Sequence, residues 1–190
     1  KQFKKTSVQL GLRAEQTNSK GNSITTSKLV ERSYLDVFPS LFINQTLSKN
    51  LDMSFSYSRR IDRPSYDALN PFIYFLDQYT YNQGNPFLNP QYTNNYEVSY
   101  NYKKTYNLSL NYSLTRDVIT EVLLPDTAKK ALFQTNENLD KQINYGLNLN
   151  APVTLSKWWS SSNNILAYYL GFRSSDLRGQ DLNSGKVAFQ

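Results

Sequence analysis

The sequence predicts an all-β fold, an antiparallel meander of about eight strands that forms part of a larger β-barrel. Three observations carry this expectation. Apolar and polar residues alternate with a period of two through most of the chain, while helical periodicity is hard to find. The connections between alternating segments are short and long in strict succession. Finally, only 39% of the 190 residues are apolar, yet the chain holds 15 Tyr, 10 Phe, 2 Trp and 21 Asn. The apolar fraction lies below the roughly 45–50% usual for globular proteins, and so many aromatics argue against disorder. A sheet with one apolar and one wet face accommodates both.

The first strand is read at Ser7 to Glu15, where Val8, Leu10, Leu12 and Ala14 oppose Gln9, Gly11, Arg13 and Glu15. Tyr34 to Leu47 is strand-like but apolar on both faces. Leu51 to Arg60 sets Met53, Phe55 and Tyr57 against Asp52, Ser54, Ser56 and Ser58. Tyr96 to Lys103 sets Tyr96, Val98, Tyr100 and Tyr102 against Glu97, Ser99, Asn101 and Lys103. Tyr106 to Thr115 sets Leu108, Leu110, Tyr112 and Leu114 against Asn107, Ser109, Asn111 and Ser113. The cleanest case is Leu139 to Ala151. Leu139, Ile143, Tyr145, Leu147, Leu149 and Ala151 share a face that only Lys141 interrupts, and Asn144, Asn148 and Asn150 share the other. Ser161 to Phe172 is mixed, and Lys186 to Gln190 begins an eighth strand.

Short reversals fall at Ser48-Lys49-Asn50, Lys103-Lys104-Thr105 and Leu155-Ser156-Lys157-Trp158. Long connections are expected over 16–33, 61–93, 121–136 and 173–185. Membrane barrels alternate in this way, with short periplasmic turns and long extracellular loops. Strands of about ten residues also suit a tilted crossing of the bilayer. The apolar faces are therefore expected to meet lipid and the amide-rich faces a wet lumen. Trp158-Trp159, and Tyr102 with Tyr106, flank short turns, as interfacial aromatics do.

With no Cys and no His, disulfides, thiolate metal sites and His-based nucleophilic catalysis are excluded. No enzyme activity, catalytic residue, metal or cofactor is expected. Arg116 and Asp117 are expected to pair across a strand end. The net charge of +6 comes from scattered Lys and Arg that form no basic stripe, so nucleic acid is not an expected partner. The chain opens at Lys1-Gln2-Phe3 without a signal-peptide pattern.

One segment is more specific. Tyr57-Ser58-Arg59-Arg60-Ile61-Asp62-Arg63-Pro64-Ser65-Tyr66 leads to Leu69-Asn70-Pro71-Phe72, and then to Gly84-Asn85-Pro86-Phe87-Leu88-Asn89-Pro90-Gln91. With Gly11-Leu12-Arg13-Ala14-Glu15 and Phe38-Pro39-Ser40-Leu41 upstream, this closely resembles the barrel region of the TonB-dependent receptors of Bacteroidetes, in the outer membrane protein β-barrel family. The resemblance covers most of residues 7–125. It implies that residues 1–190 are a partial outer-membrane barrel domain, without a recognisable plug. It also implies nutrient uptake, with outer-membrane lipid, the remaining strands and plug, TonB and a surface lipoprotein as partners. A non-transporting barrel that docks surface lipoproteins is the alternative, and a soluble glycan-binding β-domain a third. Neither a siderophore nor a glycan leaves a distinct signature.

The long loop supplies the candidate site. Pro64, Pro71, Pro86 and Pro90 each remove a backbone donor and stop strand pairing, and Gly84 before Asn85-Pro86 permits a sharp turn. Arg60, Arg63, Pro64, Asn70, Pro71, Gly84, Asn85 and Pro86 are read as loop-bracing. Tyr66, Phe72, Tyr74, Phe75, Tyr79 and Tyr81 are read as ligand- or partner-binding, since aromatic faces stack on sugars or grip apolar groups. A small loop core is the competing reading.

Overall fold

The computed structural model describes residues 2–3, 5–23, 28–175 and 181–190. They form one sheet of eleven strands and a single four-residue helix. Eight strands make the wall, each hydrogen-bonded to its sequence neighbours: β2 (Thr6–Ser23), β3 (Lys28–Ser48), β4 (Leu51–Asp62), β7 (Gln91–Tyr102), β8 (Tyr106–Asp126), β9 (Ala131–Ser156), β10 (Trp159–Ser174) and β11 (Leu182–Phe189). The two-residue β1 (Gln2–Phe3) pairs with β2. All wall pairings are antiparallel. This is the expected meander, in the form of a partial, open barrel.

The register explains the alternation. Residues directly opposed on neighbouring strands share a face, and so do residues two apart on one strand. Leu10 opposes Leu41, Leu41 opposes Tyr57, and from there the row continues through Tyr96, Tyr112, Tyr145 and Tyr169 to Val187. The adjacent row runs through Ile43, Phe55, Val98, Leu110, Leu147, Ala167 and Phe189. All the apolar sets therefore merge into a single surface across the wall. A one-residue slip in any strand would turn its apolar set to the other side. The opposite face is knit by hydroxyls and amides, among them Ser54 with Ser99 (2.5 Å) and Thr93 with Thr115 (2.9 Å).

Among the described residues, no second layer covers the apolar rows that cross the wall. Leu10 and Leu12 are 76% and 75% exposed, and among the described residues only Phe38, Tyr81, Leu88, Val118 and Leu139 are buried apolar side chains. Within that face, five tyrosines form a ladder, Tyr57–Tyr96–Tyr112–Tyr145–Tyr169, with successive ring centroids 4.9 to 6.1 Å apart. Offset and tilted ring pairs at such distances are individually favourable.

The strands run further than their alternation suggests. β9 spans 26 residues where thirteen were read, and β8 continues to Asp126. In their described residues, three of the expected long loops are thus largely paired strand. In 121–136 only residues 127–130 form the turn. Of 16–33 and 173–185, the stretches 24–27 and 176–180 lie outside the described residues. The reason is that backbone pairing needs no apolar side chains. Beyond the clean apolar band the ladder continues without strict alternation of apolar and polar residues, and the sequence signal fades. A second correction concerns Arg116 and Asp117, which form no ion pair. Asp117 instead takes a left-handed backbone (φ 54°), and its carbonyl accepts a hydrogen bond from Asn138 Nδ2 (2.7 Å). Short turns fall where expected, and in the β7–β8 turn Lys103 and Lys104 both have positive φ, the backbone a tight type I′ hairpin requires. Trp158 and Trp159 stack at the β9–β10 turn, 6.2 Å apart.

The two faces should tolerate charge differently. In the full-length protein, Leu147→Arg should cost about 2–4 kcal/mol, whereas Asn148→Arg, one residue on, should be mild. Folding efficiency into lipid vesicles measures both, and equal tolerance would reject the face assignment.

Candidate functional site

Among the described residues, the connection between β4 and β7 is the one long loop with its own architecture. It holds α1 (Tyr66–Leu69), β5 (Ile73–Phe75) and β6 (Thr80–Gln83). Ser65 caps α1, its side chain accepting from Ala68 N–H (3.2 Å), as serine does at this position. The four expected breakers, Pro64, Pro71, Pro86 and Pro90, all lie outside strands.

The loop lies between two taller hairpins. Pairing of β3 with β4 stops at Ser40 and Ser58, while β2–β3 continues to Ser23 and Lys28 and β8–β9 to Asp126 and Ala131. On the β2–β3 side, Arg63 Nη2 donates to Glu15 Oε2 and Thr17 Oγ1, both at 2.9 Å. Glu15, through its hydrogen bond, holds the guanidinium more firmly protonated than usual. Arg32 Nη2 donates to the Pro86 carbonyl (3.1 Å), and Tyr92 Oη to Asp36 Oδ2 (3.2 Å). On the β8–β9 side, Asn85 Nδ2 donates to the Asn136 carbonyl (3.1 Å) and to Glu137 Oε2 (3.2 Å). Asn89 and Asn138 exchange two bonds, Asn89 N–H to Asn138 Oδ1 (2.8 Å) and Asn138 Nδ2 to the Asn89 carbonyl (3.0 Å).

Internal contacts define the loop further. Gly84 N–H donates to the Asn70 carbonyl (2.9 Å), Asn85 N–H to that of Ala68 (2.7 Å) and Gln83 Nε2 to that of Pro71 (3.0 Å). A Cβ on Gly84 would lie 2.7 Å from both Asn70 N and the Asp67 carbonyl oxygen, so no other residue fits this crossing without displacing backbone. Asn70 Oδ1 accepts from Phe72 N–H (3.2 Å). Arg60 is exposed and opposes Thr93.

The aromatic stretch separates into two sets. Tyr66, Phe72, Tyr74, Phe75 and Tyr79 are all more than half exposed, whereas Tyr81 is 2% exposed. Tyr81 stacks on Phe133 (5.6 Å, 12°) and its hydroxyl donates to Asp126 Oδ2 (2.7 Å). Lys129 Nζ lies 4.6 Å from the ring centroid. Burial, followed by the bond to Asp126, pushes the Tyr81 phenol upward. The same bond, aided by the Lys129 backbone N–H, holds the Asp126 carboxyl below its usual range. Next to Tyr81, β6 pairs in parallel with β9, Thr80–Asn82 against Leu132–Gln134. Among the described residues this is the one departure from an antiparallel sheet. It arises because the loop crosses from the β4 side to reach the β9 strand. The partners Glu15, Thr17, Arg32, Asp126, Asn136 and Asn138 went unseen in the sequence. They lie 45–54 residues from the loop residues they meet, and no local pattern marks them.

Among the described residues, no group of three or more Asp or Glu is placed to hold a metal ion. No helix is long and apolar enough to cross a membrane, which says nothing of strands.

Comparison with known proteins gives the fold a context. The profile of the outer membrane protein beta-barrel family matches residues 1–190. No curated protein matches the sequence. Among solved structures, the siderophore receptor PirA from Pseudomonas aeruginosa is similar at a TM-score of 0.61 and 16% identity, over 96% of this chain and 40% of that one. A variant of the ferric enterobactin receptor PfeA from Pseudomonas aeruginosa, in complex with enterobactin, has a TM-score of 0.62 and 16% identity, over 97% and 30%. The copper transporter OprC has a TM-score of 0.59 and 12% identity, over 97% and 32%. The chain thus spans less than half the length of each, and at these identities the likeness is one of fold. The apolar face left without a protein layer is the face that such a barrel turns to lipid. The chain belongs to the outer membrane protein beta-barrel family and is part of a barrel wall in the cell outer membrane.

Proposed function

We propose that the chain is part of a TonB-dependent receptor that takes up a nutrient, and that the β4–β7 loop sits at its extracellular mouth. On this reading the rest of the receptor supplies the remaining strands, the plug and the contact with TonB. Solved structures of similar fold are described as a siderophore receptor, a ferric enterobactin receptor and a copper transporter. The specific resemblance to Bacteroidetes receptors rests on the arginine-proline and glycine-asparagine-proline motifs of the loop. Arg63, Asn70, Gly84 and Asn85, with the intervening prolines, act as braces that clamp the loop between the two tall hairpins.

One observation carries the binding role. Phe72, Tyr74, Phe75 and Tyr79 are exposed on a backbone that is fixed in place. Leu76 N–H donates to the Thr80 carbonyl (2.9 Å), Leu132 N–H to that of Tyr79 (2.8 Å), and β6 is paired with β9. Contiguous exposed apolar groups usually mark an interaction surface. Rigid aromatics also give contact area at low entropic cost. Tyr81 then serves as the anchor under this surface. The alternative, a barrel that docks a surface lipoprotein, would use the same aromatics.

Replacing Phe72, Tyr74, Phe75 and Tyr79 together by serine in the full-length protein, with Tyr81 kept, should abolish uptake or lipoprotein capture and leave the barrel folded. Uptake assays, pull-down and heat-modifiable gel mobility separate these outcomes. Unchanged uptake and capture would refute the binding role.

The anchor has a predictable pH dependence. Asp126 is held below its ordinary range, so its contribution is present above the unfolded value and lost as pH falls through the folded one. Hydrogen exchange at residues 79–83 should therefore stay slow at neutral and mildly acidic pH and accelerate only below the ordinary carboxylate range. Asp126→Asn should accelerate it at neutral pH already.

A further inference from the structure

The β5–β6 hairpin adds two strands to the β8–β9 ribbon and ends in an open edge. Residues 132–134 of β9 pair with β8 on one side and with β6 on the other. β5 then pairs with β6, and among the described residues no strand pairs with the far side of β5.

The bonds that are made fix which backbone groups face that side. Leu76 N–H donates to the Thr80 carbonyl (2.9 Å). In an antiparallel ladder the facing groups alternate, so Tyr74 also turns its N–H and C=O to β6. Ile73 and Phe75 therefore turn theirs outward. β5 is exposed along its length, with Tyr74 at 71% and Phe75 at 67%. Native edges are commonly protected by Lys, Pro or a bulge. The run Ile73-Tyr74-Phe75-Leu76 has none of these.

A row of apolar side chains stops at the same edge. Leu124 opposes Phe133, Phe133 opposes Tyr81, and Tyr81 opposes Phe75, across β8, β9, β6 and β5. The Tyr81 ring stacks on Phe133 and lies 6.0 Å from that of Phe75. The next position of the row lies beyond Phe75, outside the hairpin. The charges flanking β5 have one sign. Asp67 in α1 precedes it, Asp77 follows it, and both are exposed. Arg63, the only cation of residues 61–93, is paired with Glu15. Lys129 is engaged by Asp126 and the Tyr81 ring, and Lys130 lies in the β8–β9 turn, two strands from the edge.

Outward N–H and C=O groups on every second residue match another extended polypeptide. Two such residues allow about four backbone bonds, whereas β10 and β11 share eight register pairs. So short an edge suits reversible capture of a small cargo. We propose that the open edge of β5 captures short oligopeptides in extended conformation, and that the nutrient of the proposed receptor is a peptide. This rests on the uptake reading given above. The bound peptide adds a fifth strand to β8–β9–β6–β5, with an apolar side chain beside Phe75 and basic residues toward Asp67 and Asp77.

The test measures fluorescence anisotropy of the capped, dye-labelled pentapeptide Lys-Val-Thr-Val-Lys with full-length protein in nanodiscs. Wild type should bind it. The same peptide N-methylated at both valines keeps its side chains but loses two backbone donors, and should bind about tenfold more weakly. Ile73→Pro removes an outward N–H and spares the bonds to β6. It should weaken binding about tenfold, and Ile73→Ala, which keeps the N–H, about twofold. Asp67→Asn with Asp77→Asn should weaken it about threefold at low salt. Absence of binding, or equal binding of the two peptides, would overturn the proposal. So would slow hydrogen exchange of the Ile73 and Phe75 amides in the peptide-free protein, because another strand of the barrel would then hold the edge. So, too, would protection of these amides by a surface lipoprotein with no binding of the pentapeptide. Should Ile73→Pro fail to fold, the two peptides on wild type decide. The serine variant of the four loop aromatics tests the receptor reading separately: lost uptake with equal binding of the two peptides would remove the peptide cargo and leave the receptor standing.

Discussion

The architecture depends on the backbone ladder. Hydrocarbon offers no hydrogen-bond partners, so each N–H and C=O at membrane depth must be paired within the sheet. In this chain that is met by eight strands, each bonded to its neighbours in sequence over a nearly unbroken register. Once the ladder is fixed, the side chains have no freedom of face. Every second residue must meet lipid and every other one the lumen. That leaves the wall one layer thick, and its apolar side chains gain from lipid what a globular core would otherwise supply.

The ladder also accounts for the position of the loop. Neighbouring hairpins rise to different heights, since pairing can continue beyond the bilayer wherever two strands stay side by side. β4 and β7 separate after Asp62 and Gln91, while β2–β3 and β8–β9 continue. The connecting segment thus falls between two raised ribbons, each offering carboxylates, amides and carbonyls. Arg63 engages one ribbon; Asn85, Asn89 and Tyr81 engage the other. The exposed aromatic hairpin is rigid because its ends are held from opposite sides, and β6 gains backbone pairing on β9.

The charges follow the same vertical order. At the short-turn end, Trp158, Trp159, Tyr102 and Tyr106 offer rings with polar edges. The tyrosine ladder crosses five strands in the middle, and further toward the long loops Arg116, Lys141 and Arg173 stand side by side, with the buried pair Val118 and Leu139 beyond them. Beyond these lie the polar hairpins and the loop. This order is a property of rows across strands, and each row gathers residues from distant stretches of the chain.

By itself the sequence determined the fold class, the faces of the clean strands and the positions of the short turns. Each of these is local: period-two alternation in 96–103, 106–115 and 139–151, and a reversal within a few residues. The breakers Pro64, Pro71, Pro86 and Pro90 were legible for the same reason, because proline acts on its own backbone. Tertiary structure alone decided how far the strands extend, since pairing outside the bilayer leaves no hydropathy signal. It decided that Tyr81 is an anchor while Tyr74, Phe75 and Tyr79 stay exposed, a distinction invisible in a run of similar aromatics. It also decided the braces and which cations stand side by side. Arg63 meets Glu15 across 48 residues, and Arg116, Lys141 and Arg173 become neighbours only once three strands are in register. Alternation fixes which face a residue takes; only the register fixes which residue stands beside it.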